Sequence, residues 1–373
     1  MQASLGEKIR LSCESVPTAN GKVARDRPRL SKIEKRVDAP YVFDAPQDTA
    51  YAHPQNAVFQ NVLTVFTQEW IGIRAASGSF PGSKLALARA HRWSSSDIRR
   101  VLDHMSDLGI RKVVAQGYSP GVAGFLSGLR RAAPEIRIYG VWHGALAAWC
   151  HQEERDYARQ FLELASNGVY DRIHFMKRGM HLLHAKAHAP LLPNPVPFRA
   201  VTRSQPAMAV PPYVCLFGSW NNAWKNMYAN VLGVSSSGLV EKVLTYAPMD
   251  FEGAAAAKAR LAHFGSRDEH FSLLSTVDLV LNATIVDCHP MLELEGLATG
   301  TPALRADLDL DFGQDHEYER RFTLRTPHNL VAFVERIEEL SKASPAELAD
   351  ITHDYGALVT RTSFERYADF LEG

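Results

Sequence analysis

Asp278-Leu-Val-Leu-Asn-Ala-Thr284, followed by Ile-Val-Asp287-Cys-His-Pro-Met-Leu-Glu-Leu-Glu295 and then Gly-Leu-Ala-Thr-Gly300-Thr-Pro302, is the stretch on which the fold turns. It reads as strand, polar loop, helix, glycine stop and strand. Leu279 to Leu281 is an apolar run too short for a helix and bounded by polar residues. Pro290 suits the first turn of a helix, where the amide it lacks would be unpaired anyway. Gly300 ends that helix and Pro302 opens the next strand. Such a unit sets loop residues and unpaired helix amides at the carboxyl end of a parallel sheet, where open α/β folds hold ligands. Asp287 and Glu295 are two turns apart at about 3.6 residues per turn, so both carboxylates fall near one face of the helix and the loop leading into it. The plainer reading leaves Glu295 solvated and Asp287 as a helix cap.

Outward from this block the same alternation recurs. Strands are predicted at 62–66, 112–115, 136–142 and 172–175, with helices at 94–108, 121–133 and 153–165 between them, a doubly wound pattern. Pro190-Leu-Leu-Pro-Asn194-Pro-Val-Pro197 is an extended, proline-rich boundary. A second series follows, with strands at 213–217 and 243–246, helices at 223–231 and 253–263, and then the quoted block. A strand at 322–324, a helix at 329–341 and a terminal helix ending in Ser363-Phe-Glu-Arg-Tyr-Ala-Asp-Phe-Leu complete it. The expected organisation is an irregular arm over 1–55, a first Rossmann-like domain over 56–205, a second over 206–350, and a helix over 351–373 returning to the first domain.

A chain of 373 residues with 46% apolar content buries sizeable cores. Lysine plus arginine equals aspartate plus glutamate at 41 each, so no global field announces a nucleic-acid partner, and an anionic ligand must be met locally. Cys13, Cys150, Cys215 and Cys288 are far apart and form no Cys-x-x-Cys, which fits reduced thiols in a cytosol. Neither a secretory h-region nor a run of eighteen apolar residues occurs, so the expectation is cytoplasmic. The basic stretch between Lys8 and Arg36 reads as a solvated arm and leaves peripheral contact with an anionic membrane or acceptor open.

The quoted block resembles the nucleotide-sugar signature of retaining glycosyltransferases of the GT-B fold, family 4 especially. There a Ser or Thr ends a strand and a Glu-x7-Glu pair leads into Glu-Ala-Met-Ala-x-Gly-x-Pro. Thr284 takes the Ser position, Asp287 the first acid and Glu295 the second. The resemblance implies two Rossmann-like domains facing across a cleft, with Glu295 on the ribose hydroxyls and Asp287 facing the donor sugar. His289, Pro290 and Met291 then line the donor. Asp287 stands where the family has Glu, about 1.5 Å shorter in reach.

After the strand 213–217 comes Gly218-Ser219-Trp-Asn-Asn-Ala-Trp-Lys225-Asn. A glycine there lets backbone approach a phosphate, and a lysine in the first turn of the next helix adds a compact positive charge. The resemblance makes Gly218 and Lys225 diphosphate contacts, with Ser219 in place of the family's Arg. Gly265 lies in a loop similar to the family's base-contacting Phe-x-Gly-x-Val, and Arg267 is a candidate for the missing charge. The glycine-rich stretch Gly72-Ile-Arg74-Ala-Ala-Ser-Gly78-Ser-Phe-Pro-Gly-Ser-Lys84 is similar to the family's amino-terminal loop, with Arg74 and Lys84 as candidates to meet anionic groups across the cleft. His143, at the end of the strand 136–142, matches a family His near the sugar and the acceptor. The turn at Asn194 resembles the family's Pro-Asn-Gly and reads as architectural.

The implied reaction is transfer of a hexose-type sugar from a nucleoside diphosphate sugar to a hydroxyl acceptor, whether glycan, lipid-linked glycan, protein or small molecule. No cofactor and no metal are required by it. A sugar-nucleotide 2-epimerase, a non-catalytic nucleotide-sugar-binding protein and a metal-dependent transferase are the alternatives. His181, His184 and His188 are at helical spacing without a water-activating Glu, and Asp307-Leu-Asp309-Leu-Asp311 reads as solvated loop acids.

Overall fold

The computed structural model describes residues 39–198, 203–219, 223–253 and 255–372. The first half begins with β1 (Tyr41–Phe43) and α1 (Pro46–Thr49), then runs β2 (Val62–Thr67), α2 (Ile71–Ser79), β3 (Ser83–Leu87), α3 (Ser95–Asp107), β4 (Lys112–Gln116) and α4 (Pro120–Ala132). It closes with β5 (Arg137–Trp142), α5 (Gln152–Ser166), β6 (Arg172–Phe175) and β7 (Ala187–His188). The sheet order is β1-β3-β2-β4-β5-β6-β7, parallel except for the β1–β3 pair. The central strands are buried on both faces and read as near-continuous apolar runs, as parallel strands under helices must. Along β4, Val113 and Ala115 enter one core while Val114 enters the other.

The second half carries β8 (Tyr213–Phe217), α6 (Met227–Ser235), β9 (Val240–Thr245), β10 (Ala259–Leu261), α7 (Arg267–Leu274) and β11 (Leu279–Asn282). It continues through α8 (Met291–Ala298), β12 (Ala303–Ala306), α9 (Glu317–Phe322), β13 (Thr323–Leu324), α10 (Leu330–Leu340) and α11 (Pro345–Glu372). Its strand order is β10-β9-β8-β11-β12-β13, all parallel, the Rossmann order 3-2-1-4-5-6. The order reverses between β8 and β11, so the loops following those two strands diverge and open a crevice.

Loops at the carboxyl ends of the two sheets meet. Cys288, after β11, donates its thiol to the carbonyl of His143, after β5, and Lys177, after β6, donates to the Leu308 carbonyl, after β12. The terminal helix spans both halves. Tyr355 and Val359 lie in the core of the second half, while Tyr367 and Phe370 lie in a first-half core with Phe80 and Val114. The Tyr139 hydroxyl donates to the Leu371 carbonyl, and Ser363 donates to the Pro193 carbonyl in the proline-rich crossover.

Four local expectations are corrected. Residues 39–55 are not an irregular arm, because β1 pairs with β3 and α1 packs against α2; the basic stretch from Lys8 to Arg36 lies outside the described residues. The glycine-rich stretch after β2 is the helix α2, whose buried Ala75, Ala76 and Ser79 outweigh about 1 kcal/mol of helix cost at each glycine. The helix expected over 253–263 is a short 3-10 turn at Ala256–Lys258 followed by β10, which pairs with the open edge of β9. The strand expected to start at Phe322 begins one residue later, since Phe322 ends α9. Among the described residues, no helix is long and apolar enough to cross a membrane, and Cys150, Cys215 and Cys288 are free thiols.

Candidate functional site

The crevice between β8 and β11 is built by two loops that bond to each other. Gly218 directly follows β8, and a Cβ there would lie 2.7 Å from Leu292 and 3.1 Å from Tyr246, so the bare backbone lets α8 approach the strand end. Ser219 is half-buried, and Trp220 to Asn222 lie outside the described residues. A 3-10 turn at Ala223–Lys225 replaces the expected first turn of a helix. Asn226 breaks it by taking a left-handed conformation, with its amide donating to the carbonyls of Ala283 and Pro327 at 3.0 and 2.6 Å. The Ile285 amide donates to the Trp224 carbonyl at 2.9 Å, which ties the β11 loop to this turn.

That tie sets Lys225 against Asp287, with Nζ 2.6 Å from Oδ2. The other Asp287 oxygen accepts from the Cys288 amide at 3.0 Å. Thr284 is buried at the strand end, and its hydroxyl has no hydrogen-bond partner among the described residues. Pro290 is the N-cap of α8 rather than its first residue, and Met291 begins the helix. No side chain caps this terminus, so its first amides remain available. His289 is buried beside them: its Nδ1 accepts the Asn194 amide at 3.0 Å, and burial pulls its pKa down to about 3. It therefore holds the crossover turn rather than lining an open donor site.

Glu295, 8% exposed, sits on α8 between two cations or donors from α7. Arg267 Nη2 is 3.1 Å from one carboxylate oxygen and His270 Nε2 is 2.9 Å from the other. Burial pushes this carboxyl up, but His270 and Arg267 push it down further, and its pKa ends below the usual glutamate value. The Arg267 guanidinium also lies 4.6 Å over the Tyr51 ring. It is engaged with the acid and with the first half. Gly265 precedes α7, and its amide donates to Glu269.

On the first half, His143 Nε2 is 2.6 Å from Gln116 Oε1, and the Gln116 amide donates to the Tyr367 hydroxyl at 3.0 Å. Burial draws the His143 pKa down to about 4, so its imidazole is neutral near pH 7. Gly72 is exposed at the start of α2, where a Cβ would meet open space. Arg74 bonds the Gln68 carbonyl and pairs with Asp48 at 3.5 Å. Gly78 abuts Asp48, where a Cβ would be 2.7 Å from the backbone oxygen. Lys84 corrects the expectation most plainly. It is 1% exposed, its ammonium donates to the carbonyls of Pro81 and Gly82, and burial lowers its pKa to about 8. It is a structural cation under β3.

The structure thus brings Lys225 to Asp287 and Arg267 to Glu295, and sets His143 against the Asp287-Cys288 loop. Sequence reading missed Gln116, Tyr246, His270 and Tyr51. His270 carried a signal: it lies three residues after Arg267, on the same face of α7. The histidines at 181, 184 and 188 do not share a helix face, since His181 is in a 3-10 turn and His188 is in β7. Asp311 is not a solvated loop acid, because it pairs with Arg366 of α11 and accepts the Leu191 amide.

No protein-family model and no curated protein sequence matches the chain. Solved structures do. A UDP-forming α,α-trehalose-phosphate synthase from Burkholderia xenovorans, in complex with glucose-6-phosphate, is 10% identical with a TM-score of 0.51, over 84% of this chain and 100% of that one. Sucrose-phosphate synthase from Thermosynechococcus elongatus is 9% identical with a TM-score of 0.51, over 83% and 97% of the two chains. S. aureus TarM is 13% identical with a TM-score of 0.47, over 70% of this chain and 53% of that one, so this chain spans about half the length of TarM. At such identities the likeness is one of fold: the architecture is that of the GT-B glycosyltransferases.

Proposed function

We propose that the chain is a retaining glycosyltransferase that moves a hexose-type sugar from a nucleoside diphosphate sugar to a hydroxyl acceptor. The observation that carries this reading is the Lys225–Asp287 contact at the switch point, beside the open amino terminus of α8 and with Glu295 further along the same helix. In this reading Lys225 and the α8 amides receive the diphosphate, Glu295 the ribose, Asp287 the donor sugar, and His143 the sugar and acceptor. The bond from the anomeric carbon to the diphosphate oxygen breaks, the acceptor oxygen bonds the same face, and its proton passes to the departing phosphate. Negative charge grows on the leaving group, and preorganised positive groups in a water-poor cleft are what lower such a barrier. A divalent ion is not needed when an ammonium and helix amides take that role, so activity should survive a chelator.

Thermal shift with UDP, GDP, ADP and dTDP tests the reading, since a ligand that binds only the folded state raises the transition in proportion to its occupancy. UDP is the first choice, because the E. coli neighbour with a TM-score of 0.50 is bound with UDP-2-fluoro glucose. At least one diphosphate should stabilise the protein, and the double variant Lys225→Ala/Glu295→Gln should abolish the shift. Stabilisation by none, or a shift indifferent to the double variant, overturns the reading. Release of product with inverted anomeric configuration would overturn retention alone.

A further inference from the structure

Glu295 does not stand alone in the crevice. Behind it runs a chain of hydrogen bonds that enters the second half: His270 Nε2 to Glu295 Oε2 at 2.9 Å, and His270 Nδ1 to the Tyr246 hydroxyl at 2.6 Å. A carboxylate can only accept, so Nε2 carries the hydrogen that Glu295 receives, and Nδ1 is left as the acceptor for the Tyr246 O–H. Both ring nitrogens are then satisfied, and the imidazole cannot rotate without breaking two bonds. Tyr246 is itself fixed: its ring packs 4.6 Å from Phe264, and Gly218 leaves room for its edge. His270 is buried, at 6% exposed.

The stoichiometry at the acid is specific. An ionised carboxylate offers about four lone-pair directions. Among the described residues Arg267 takes one on Oε1 and His270 takes one on Oε2, which leaves one on each oxygen. Two acceptors on adjacent oxygens match two vicinal hydroxyl donors. We infer that Tyr246 and His270 are positioning residues that aim Glu295 at the 2′,3′-diol of the donor's ribose, and that they make the site select ribonucleotides over 2′-deoxyribonucleotides. The inference rests on the proposed ribose role of Glu295 and adds the residues that enforce it.

Calorimetric binding of UDP against 2′-deoxy-UDP tests it, with the ADP and GDP pairs run alongside. A hydrogen bond to a charged group corresponds to roughly a 10- to 100-fold ratio, which is the expected preference of the unaltered protein for the ribo form. His270→Phe keeps a ring but removes the donor, and should collapse the ratio to about threefold or less while leaving the affinity for the deoxy form within about threefold. A merely structural role would weaken both forms alike. His270→Gln, whose amide can still donate to Glu295, should keep most of the preference. Tyr246→Phe deletes one hydroxyl and should lower the ratio part of the way; it carries the test if His270→Phe does not fold. A ratio unchanged by His270→Phe and Tyr246→Phe but abolished by Glu295→Gln overturns this inference and leaves the ribose role standing. A ratio indifferent to Glu295→Gln, or no diphosphate binding at all, overturns both.

Discussion

The ammonium of Lys225 lies 2.6 Å from Oδ2 of Asp287, so the cation and the acid proposed to serve different parts of one donor are partners before any donor arrives. A diphosphate that takes the ammonium must share it with, or take it from, Asp287. Asp287→Asn removes that competitor while also removing the sugar-facing charge. Nucleoside diphosphate affinity should rise about three- to tenfold, and sugar transfer should fall at least tenfold. Lys225→Ala should instead weaken binding by about 10- to 100-fold, as expected for a lost charge-assisted hydrogen bond. Calorimetry beside a transfer assay separates the two; weakened binding in Asp287→Asn would refute the competition.

Acid should destabilise the protein through its buried histidines. His174 is buried, its Nδ1 faces the His188 carbonyl at 3.1 Å, and its Nε2 accepts the Leu192 amide at 3.1 Å. Burial lowers its pKa to about 3, and the same cause lowers His289 to about 3. Both rings are neutral in the folded state, whereas each binds a proton in the unfolded chain below about pH 6.5. The unfolded state therefore holds more protons, and stability is full above about pH 6.5 and drains away as pH falls toward the folded values. The slope is about 1.4 kcal/mol per pH unit for each ring. Urea unfolding between pH 7 and pH 4.5 should show it, and His174→Asn should lower the slope by the share of one ring, leaving that of His289.

Arg305 and Glu293 form a fully buried pair at 2.7 Å, with Glu319 at 3.2 Å from the same guanidinium nitrogen and the Tyr355 hydroxyl beside it. Arg305→Met strands two carboxylates and should cost about 3–5 kcal/mol. Adding Glu293→Met to it removes the fully buried one of the two stranded carboxylates, leaving only the partly exposed Glu319, and should recover much of the loss. Guanidinium midpoints of the single and double variants decide the matter: a double variant less stable than the single one would mean that packing, not charge, dominates there.

Tyr367 is fully buried on α11, 4.7 Å from the Phe80 ring and bonded to Gln116. Tyr367→Ala should destabilise by about 3–5 kcal/mol, the usual range for a large aromatic cut back to alanine. Because Gln116 also holds His143, the variant should slow transfer even where it is fully folded. Tyr367→Phe keeps the ring and isolates the second effect, read as lowered turnover with little change in unfolding midpoint.

Much of the architecture was written in local pattern. The buried runs Val62–Thr67, Lys112–Gln116 and Arg172–Phe175 are short, apolar and bounded by polar residues, so their type and order could be read directly. Where glycine and alanine blur that pattern, reading failed. Ile71–Ser79 became a helix because its small residues pack against α1, and Ala259–Leu261 became a strand because β9 had an unpaired edge; both causes are tertiary. The site divides the same way. Asp287 and Glu295 are near neighbours in sequence, and their spacing announced them. Lys225 and Asp287 are 62 residues apart, and Tyr246 and His270 are 24 apart. No periodicity states which strand will lie beside which, so those pairings became visible only in three dimensions.

The terminal helix is 28 residues long, about 42 Å of rod, with one end seated among Tyr355 and Val359 and the other among Tyr367 and Phe370. It acts as a splint. Any rotation that widens the gap between the two sheets must flex this rod or peel one of its seats, while the proline-rich crossover beside it, pinned by Ser363, can offer little slack. The stroke open to the two halves is therefore limited by the stiffness of a single element, one that reaches the crevice only through the Tyr367–Gln116 contact.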